Sequence, residues 1–343
     1  MSPGQLTKGL TDMKSIKRNA KRVAAATVAS GLLAAGAVTL AGSASAATLH
    51  SHGARYHFQT IDNPKDLTFN QLLGINDEGQ IVGYFGSGAP GHPNKGYVIP
   101  PFSHQFIDEN FPGSVQTQVT GENNRGVTVG FWSNTNMGVG KDANFGWVDV
   151  HGHFRTADYP TGSPATPPAD QLLGVNDSDI AVGFYTDANG NNHGYEYNIY
   201  RNTYRSVVDP NAPTASLTAA AINDRGDVAG VYANPANGNT DGFLLRHGRF
   251  TDLSVPGSSS TMALGVNNYD EVVGVFVPSS DANALEGFTW TPQHGFTTVN
   301  DPNGMNDGNR TTTINGVNDF GQVVGFYVDA NGNTDGFLAT PHR

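Results

Sequence analysis

Asp329-x-Asn331-x-Asn333-x-Asp335 places oxygen-bearing side chains at alternate positions, and Asp187-x-Asn189-x-Asn191 repeats part of the pattern. A calcium loop begins with this spacing, because a hard cation is wrapped by oxygens supplied from every second residue. Neither stretch goes on to a bidentate Glu, and neither has Gly at its sixth position. Both contain Asn-Gly, the strongest short signal for a hairpin turn. A turn is therefore the expectation. Ca²⁺ is the one cofactor the pattern admits, and no other is implied.

Covalent catalysis has little to work with. The chain has no Gly-x-Ser-x-Gly, no His-Glu-x-x-His, no phosphate-binding glycine loop and no Cys. Carboxylates are plentiful, which leaves paired acid–base chemistry of the glycosidase or lyase type open. The polar candidates for a ligand site are His92, Lys95, Trp132, Lys141, Asp142, His193, Asp241 and Asp335. An aromatic closes the same apolar run six times, as Phe85, Trp132, Tyr185, Tyr232, Phe276 and Tyr327. Sugar stacking is one use for such rings. Sixfold repetition favours packing between like units. Trp132 is the exception, because the longest loop follows it, with Asn134, Asn136, Lys141, Asp142 and Asn144. A carbohydrate site is expected there.

The elements that would hold these residues come from a repeat. Asn76, Asn123, Asn176, Asn223, Asn267 and Asn318 are each followed seven residues later by a Gly, at intervals of 47, 53, 47, 44 and 51. A fixed offset with a variable period means one structural unit joined by unequal loops. Each unit reads as four short antiparallel strands in about 48 residues. The second strand is apolar on both faces, as in Ile81-Val82-Gly83-Tyr84-Phe85. A half-solvated strand would alternate. Two buried faces place each sheet between two others, the arrangement of radial blades. The Asn-containing turns read as turn chemistry rather than as a polar channel lining.

The ends complete the count. The sixth unit stops after its third strand at Pro341-His342-Arg343, and the missing fourth run, Phe58-Gln59-Thr60-Ile61-Asp62-Asn63-Pro64, precedes the first unit. The expected fold is all-β: a six-bladed β-propeller over residues 57–343, with an N-terminal strand closing the last blade. The gap from the in-strand Gly to the third-strand Gly runs 13, 16, 11, 12, 13 and 11 residues, while the first turn is constant in length. Variable loops on a rigid ring carry specificity. Any ligand is therefore expected on the rim of second-to-third-strand loops, where His92, Lys95 and His193 fall.

Residues 1–46 read as a cleaved export signal, and 47–56 as a short linker. Lys8, Lys14, Lys17, Arg18, Lys21 and Arg22 precede an Ala/Val/Leu stretch and Ala44-Ser45-Ala46. No later segment approaches the roughly 20 apolar residues of a membrane span. The chain has 19 basic and 30 acidic residues; loss of six and one leaves 13 and 29, a net of −16. Such a surface repels nucleic acid and stays soluble. A secreted chain without Cys relies on its core.

The unit Gly-[Ile/Val]-Asn-[Asp/Asn]-x-x-x-[Val/Ala]-Val-Gly-x-[Tyr/Phe], followed by His-Gly-Tyr, has its fullest copy at Leu173 to Tyr195. It resembles the HAF-repeat family of extracellular proteins over residues 57–343. The resemblance implies secretion and a propeller-like architecture, and it implies no reaction. The His position is His193 in one blade and Lys95, Phe145, Asp241, Glu286 and Asp335 in the others. The combined expectation is a secreted, monomeric scaffold binding extracellular glycan or protein through its rim. The alternatives are a secreted polysaccharide lyase or hydrolase using rim His and carboxylates, and a structural adhesion module.

Overall fold

The computed structural model describes residues 56–342, so the export signal and residues 47–55 of the linker lie outside the described residues. Every regular element described is a strand. After β1 (Tyr56–Thr60), blade 1 comprises β2 (Asn70–Ile75), β3 (Ile81–Phe85), β4 (Lys95–Ile99) and β5 (Ile107–Asp108). Blade 2 comprises β6 (Gln116–Glu122), β7 (Val127–Ser133), β8 (Phe145–Val150) and β9 (His153–Thr156). Blade 3 comprises β10 (Asp170–Val175), β11 (Ile180–Thr186), β12 (Asn192–Asn198) and β13 (Thr203–Val207). Blade 4 comprises β14 (Leu217–Ile222), β15 (Val228–Ala233), β16 (Thr240–Arg246) and β17 (Arg249–Leu253). Blade 5 comprises β18 (Ser258–Val266), β19 (Val272–Pro278), β20 (Glu286–Thr291) and β21 (Gly295–Thr298). A small hairpin, β22 (Met305–Asn306) with β23 (Asn309–Arg310), precedes β24 (Thr313–Val317), β25 (Val323–Val328) and β26 (Thr334–Pro341) of blade 6.

The chain closes on itself as its ends suggest. β1 pairs antiparallel with β26, from Tyr56 opposite Pro341 to Thr60 opposite Phe337, and becomes the outer strand of blade 6. Tyr56 thus belongs to the propeller and not to the linker. The hairpin β22–β23 has no counterpart in the repeat pattern.

Burial on both faces of each second strand follows from the radial order. Ile81 packs with Val324 of blade 6, while its neighbour Val82 packs with Val119 of blade 2. Val228 faces Val182 of blade 3, and Ala229 faces Ala263 of blade 5. The core is a circle of such inter-blade clusters.

The Gly of each repeat has a steric cause. Each inner strand carries a bulge at the same place, between Leu72 and Gly74 in blade 1 and between Leu172 and Gly174 in blade 3. The bulge turns a carbonyl toward the second strand. A Cβ on Gly83, Gly130, Gly183, Gly230, Gly274 or Gly325 would lie 1.9–2.1 Å from the oxygen of Gln71, Gln118, Gln171, Thr218, Met262 or Thr313. No side chain fits there. The inner strands also meet backbone to backbone around the axis: a Cβ on Gly121 would lie 2.8 Å from the Gly174 Cα.

The repeated Asn does two things. Its Oδ1 accepts from the backbone of its own turn, as when Asn176 takes the N–H groups of Ser178 and Ile180 at 3.1 and 3.0 Å. Its Nδ2 donates to the carbonyl of the equivalent Asn in the next blade. The chain of donors runs Asn76, Asn123, Asn176, Asn223, Asn267, Asn318 and back to Asn76, at 2.9–3.2 Å. A second circle lies beside it, in which the backbone N–H after each Asn donates to a side-chain oxygen of the next blade. It runs Asp77, Asn124, Asp177, Asp224, Asn268, Asp319 and back to Asp77, at 2.7–2.9 Å. Asn176→Asp keeps the shape and the turn bonds but removes the donor and buries a charge. It should lower the unfolding free energy by at least about 2 kcal/mol in urea titration; an unchanged midpoint would show that the circle contributes nothing.

Candidate functional site

The second-to-third-strand loops of blades 1, 2 and 3 and the connections between these blades enclose a cavity of about 460 Å³. This is the rim on which the variable loops lie. The size falls within the roughly 300–1,000 Å³ typical of small-molecule sites. Phe131 and Phe184 contribute apolar wall, and Asn94, Gln116, Gln118, Asn144, Gln171 and Asn189 contribute amides.

The walls are pinned by their own polar groups. Asp142 organises the long blade 2 loop: Oδ1 accepts from Thr135 Oγ1 and Met137 N at 2.6 and 2.8 Å, and Oδ2 from Gln116 Nε2 and Gly138 N at 3.1 and 3.3 Å. That loop then bridges to the connection ahead of blade 3, where Asn144 N donates to Pro168 O and Asp170 N to Asn144 O. Ser163 Oγ ties the same connection to Thr186 O at 2.7 Å.

Among the sequence candidates, Trp132 and Asp142 line this cavity. Phe111 stacks on one face of Trp132 at 4.6 Å and Phe145 lies tilted against it at 5.2 Å, so much of the indole is spent on packing. Its Nε1–H is buried without a partner. The other candidates fall outside the lining. His92 is exposed on the blade 1 loop. Lys95 Nζ donates to Val115 O at 2.8 Å. Lys141 is exposed next to Asp142. Asp241, 1% exposed, accepts from Asn234, Asn237 and Ser254 in the blade 4 loop. Asp335 lies in blade 6, where burial and the carboxylates of Asp62, Asp329 and Asp301 push its pKa up to about 7.

The two calcium-like stretches are hairpin turns. Asp187 accepts the N–H groups of Asn189 and Asn191, the Asn191 amide and His193 Nε2. Asp329 accepts the N–H groups and side-chain amides of Asn331 and Asn333. Partial desolvation opposes ionisation at both, but these hydrogen bonds outweigh it and hold both below the usual carboxylate range. Among the described residues no group of three or more His, Asp or Glu is arranged to hold a metal ion. His193 stacks on Tyr185 at 5.0 Å and stands 3.1 Å from Asp187. Asp187 lines the cavity, so a His–carboxylate pair borders it.

Sequence reasoning did not reach Asn94, Gln116, Gln118 or Gln171. A signal existed for two of them. The position just before the inner-strand bulge is Gln71, Gln118 and Gln171 in blades 1–3 but Thr218, Met262 and Thr313 in blades 4–6. On the opposite face the Asn-Asp turns of four blades and the Asn-Asn turns of blades 2 and 5 surround a shallow depression of about 70 Å³. The carboxylates of Asp77, Asp177, Asp224 and Asp319 there each accept one backbone N–H and an amide of Asn124 or Asn268.

No family model matches this chain, and no curated protein does. Solved structures similar to it include TolB from Acinetobacter baumannii, with TM-score 0.48 and 9% identity over 76% of this chain and 63% of TolB. Also similar is the six-bladed β-propeller lectin of Aleuria aurantia, described with a fucose recognition mode, with TM-score 0.42 and 11% identity over 68% and 77% of the two chains. A third is an ulvan lyase bound to its saccharide, with TM-score 0.40 and 12% identity over 79% and 78%. The chain spans 63% of the TolB length. The propeller assignment rests on strand order and pairing in this chain.

Several buried acids titrate high. Burial pushes Glu122 up to about 8, against the Gln80 hydrogen bond. Burial likewise raises Asp170 to about 7, Glu109 to about 7 and Asp158 to about 6. A folded-state pKa above the unfolded value means the native state holds protons more tightly. That stability is complete below about pH 4 and is lost as pH rises through 6–8. Asp187 and Asp329 act in the opposite sense, only below about pH 4. The urea midpoint should therefore be higher at pH 5 than at pH 8. Glu122→Gln should raise the pH 8 value and flatten the profile; a profile rising from pH 5 to 8 would contradict the assignment.

Proposed function

We propose that this chain is an exported, non-catalytic β-propeller that binds an extracellular glycan in the cavity shared by blades 1, 2 and 3. The observation that carries this reading is the set of wall amides the fold does not use. Gln118 and Asn189 make no side-chain hydrogen bond, and Asn94 leaves its amide unpaired although it is 7% exposed. Of these, the Asn94 Oδ1 is buried without a partner, which costs stability, while the half-buried Gln118 and the exposed Asn189 can exchange water for a ligand. A ligand rich in hydroxyls would satisfy them. Export rests on the basic N-terminal run and Ala44-Ser45-Ala46.

The His193–Asp187 pair favours a second reading, a polysaccharide lyase or hydrolase in which His193 moves a proton. Against it, Asp187 is tied to its own turn and His193 to the Tyr185 face. A glycan array run beside a reducing-end assay separates the two readings. We expect binding without product, and Asn189→Ala, at an exposed lining residue whose side chain bonds to nothing, should weaken it about fivefold to tenfold with little change in unfolding midpoint. His193→Ala should leave binding intact. Turnover that disappears in His193→Ala would establish the enzyme instead.

A further inference from the structure

We propose that the unit held in this cavity is a neutral sugar, one without carboxylate or sulfate, and this rests on the glycan-binding reading above. The argument begins with charge. Among the described residues no Lys, Arg or His lines the cavity, and His193 at its border is paired with Asp187, so an anionic sugar entering it finds no free counter-ion. Its two carboxylates, Asp142 and Asp187, already accept four hydrogen bonds each from their own loops. Carboxylates so held add repulsion against an anionic sugar and offer it no counter-ion. Taking a charge out of water without a paired partner costs several kcal/mol, more than a few hydrogen bonds return. The net charge of −16 without residues 1–46 further repels uronate and sulfate polymers.

The amides supply the positive half of the argument. A carboxamide presents an acceptor oxygen and two donor hydrogens side by side. A sugar hydroxyl is itself donor and acceptor, so one amide can serve two neighbouring hydroxyls. Asn94, Gln118 and Asn189 stand in the lining with their amides free, and Gln171 uses only Nε2, toward Asn144 Oδ1 at 3.1 Å. The Asn94 Oδ1 is buried with no partner. Phe131 and Phe184 give the apolar faces of a pyranose a wall to lie against. Surroundings without a cation, rich in amides and partly aromatic, suit a polyhydroxyl ring that carries no anionic group.

The test uses the mature protein and two oligosaccharide panels of equal length: neutral gluco-, manno-, galacto- and xylo-oligosaccharides, and oligogalacturonates with sulfated oligosaccharides. Gln118→Leu is the diagnostic variant, since Gln118 is partly exposed and bonds to nothing, so its loss leaves the fold intact. We expect at least one neutral series to bind, affinity to vary less than twofold between 50 and 500 mM NaCl, and Gln118→Leu to weaken it fivefold to tenfold, the share of one neutral hydrogen bond. Binding of the acidic panel that Gln118→Leu weakens would overturn neutrality while leaving the cavity as a glycan site. Neutral binding untouched by Gln118→Leu and by Asn94→Leu would overturn the assignment to this cavity. Failure of both panels would remove the glycan reading and this inference together.

Discussion

Six asparagine side chains hold this ring together. Each ends one inner strand, folds its own turn through Oδ1 and reaches the next blade through Nδ2. The apolar surface that side-by-side antiparallel sheets share is non-directional and permits sliding. A directional bond from each blade to the next fixes the angle between neighbours. Because the sixth donor returns to the first acceptor, the circle closes with no group left over. The Gly seven residues on belongs to the same constraint: the bulge that sets the inner strand turns a carbonyl into the space a Cβ would need.

This division of labour explains why one face is uniform and the other varied. The Asn face spends its polar groups on closure, down to the carboxylates of Asp77, Asp177, Asp224 and Asp319. The loop rim is released from that duty. Its blade 2 loop grows long and is stiffened internally by Asp142, whose four bonds make it a post rather than a hand. The cavity forms where this stiff loop meets the connection ahead of blade 3, and the amides left idle there give the site its character.

The fold was legible because its causes repeat. The Asn–Gly offset, the doubly apolar second strands and the stray leading strand each report a contact made six times or a closure made once. The site was half legible. Loop-length variation pointed to the rim and to the blade containing Trp132. It could not show that Phe111 stacks on the indole and Phe145 packs against it, since those rings lie 21 and 13 residues away along the chain. Charged residues drew the eye, yet Asp142, Asp187 and Asp241 are consumed by their own loops. Of the free amides, Asn189 lies in the turn that the calcium-like spacing marked, whereas Asn94 and Gln118 lie at or near strand starts, where neither turn chemistry nor periodicity marks them, and comparison of Gln118 and Gln171 with Thr218 and Met262 was the signal available. The hairpin β22–β23 is a single insertion and left no trace in the period.

The way β1 joins β26 also sets how the molecule is presented. Pro341 lies beside the Asn318 turn, where a Cβ on Gly321 would stand 3.5 Å from its Cγ, and Tyr56 is paired directly with Pro341. Both ends of the described chain therefore emerge together on the asparagine face. Anything that holds the protein by either terminus, be it a wall, a fibre or a fused domain, will carry the opposite rim outermost, with its pocket turned toward whatever approaches.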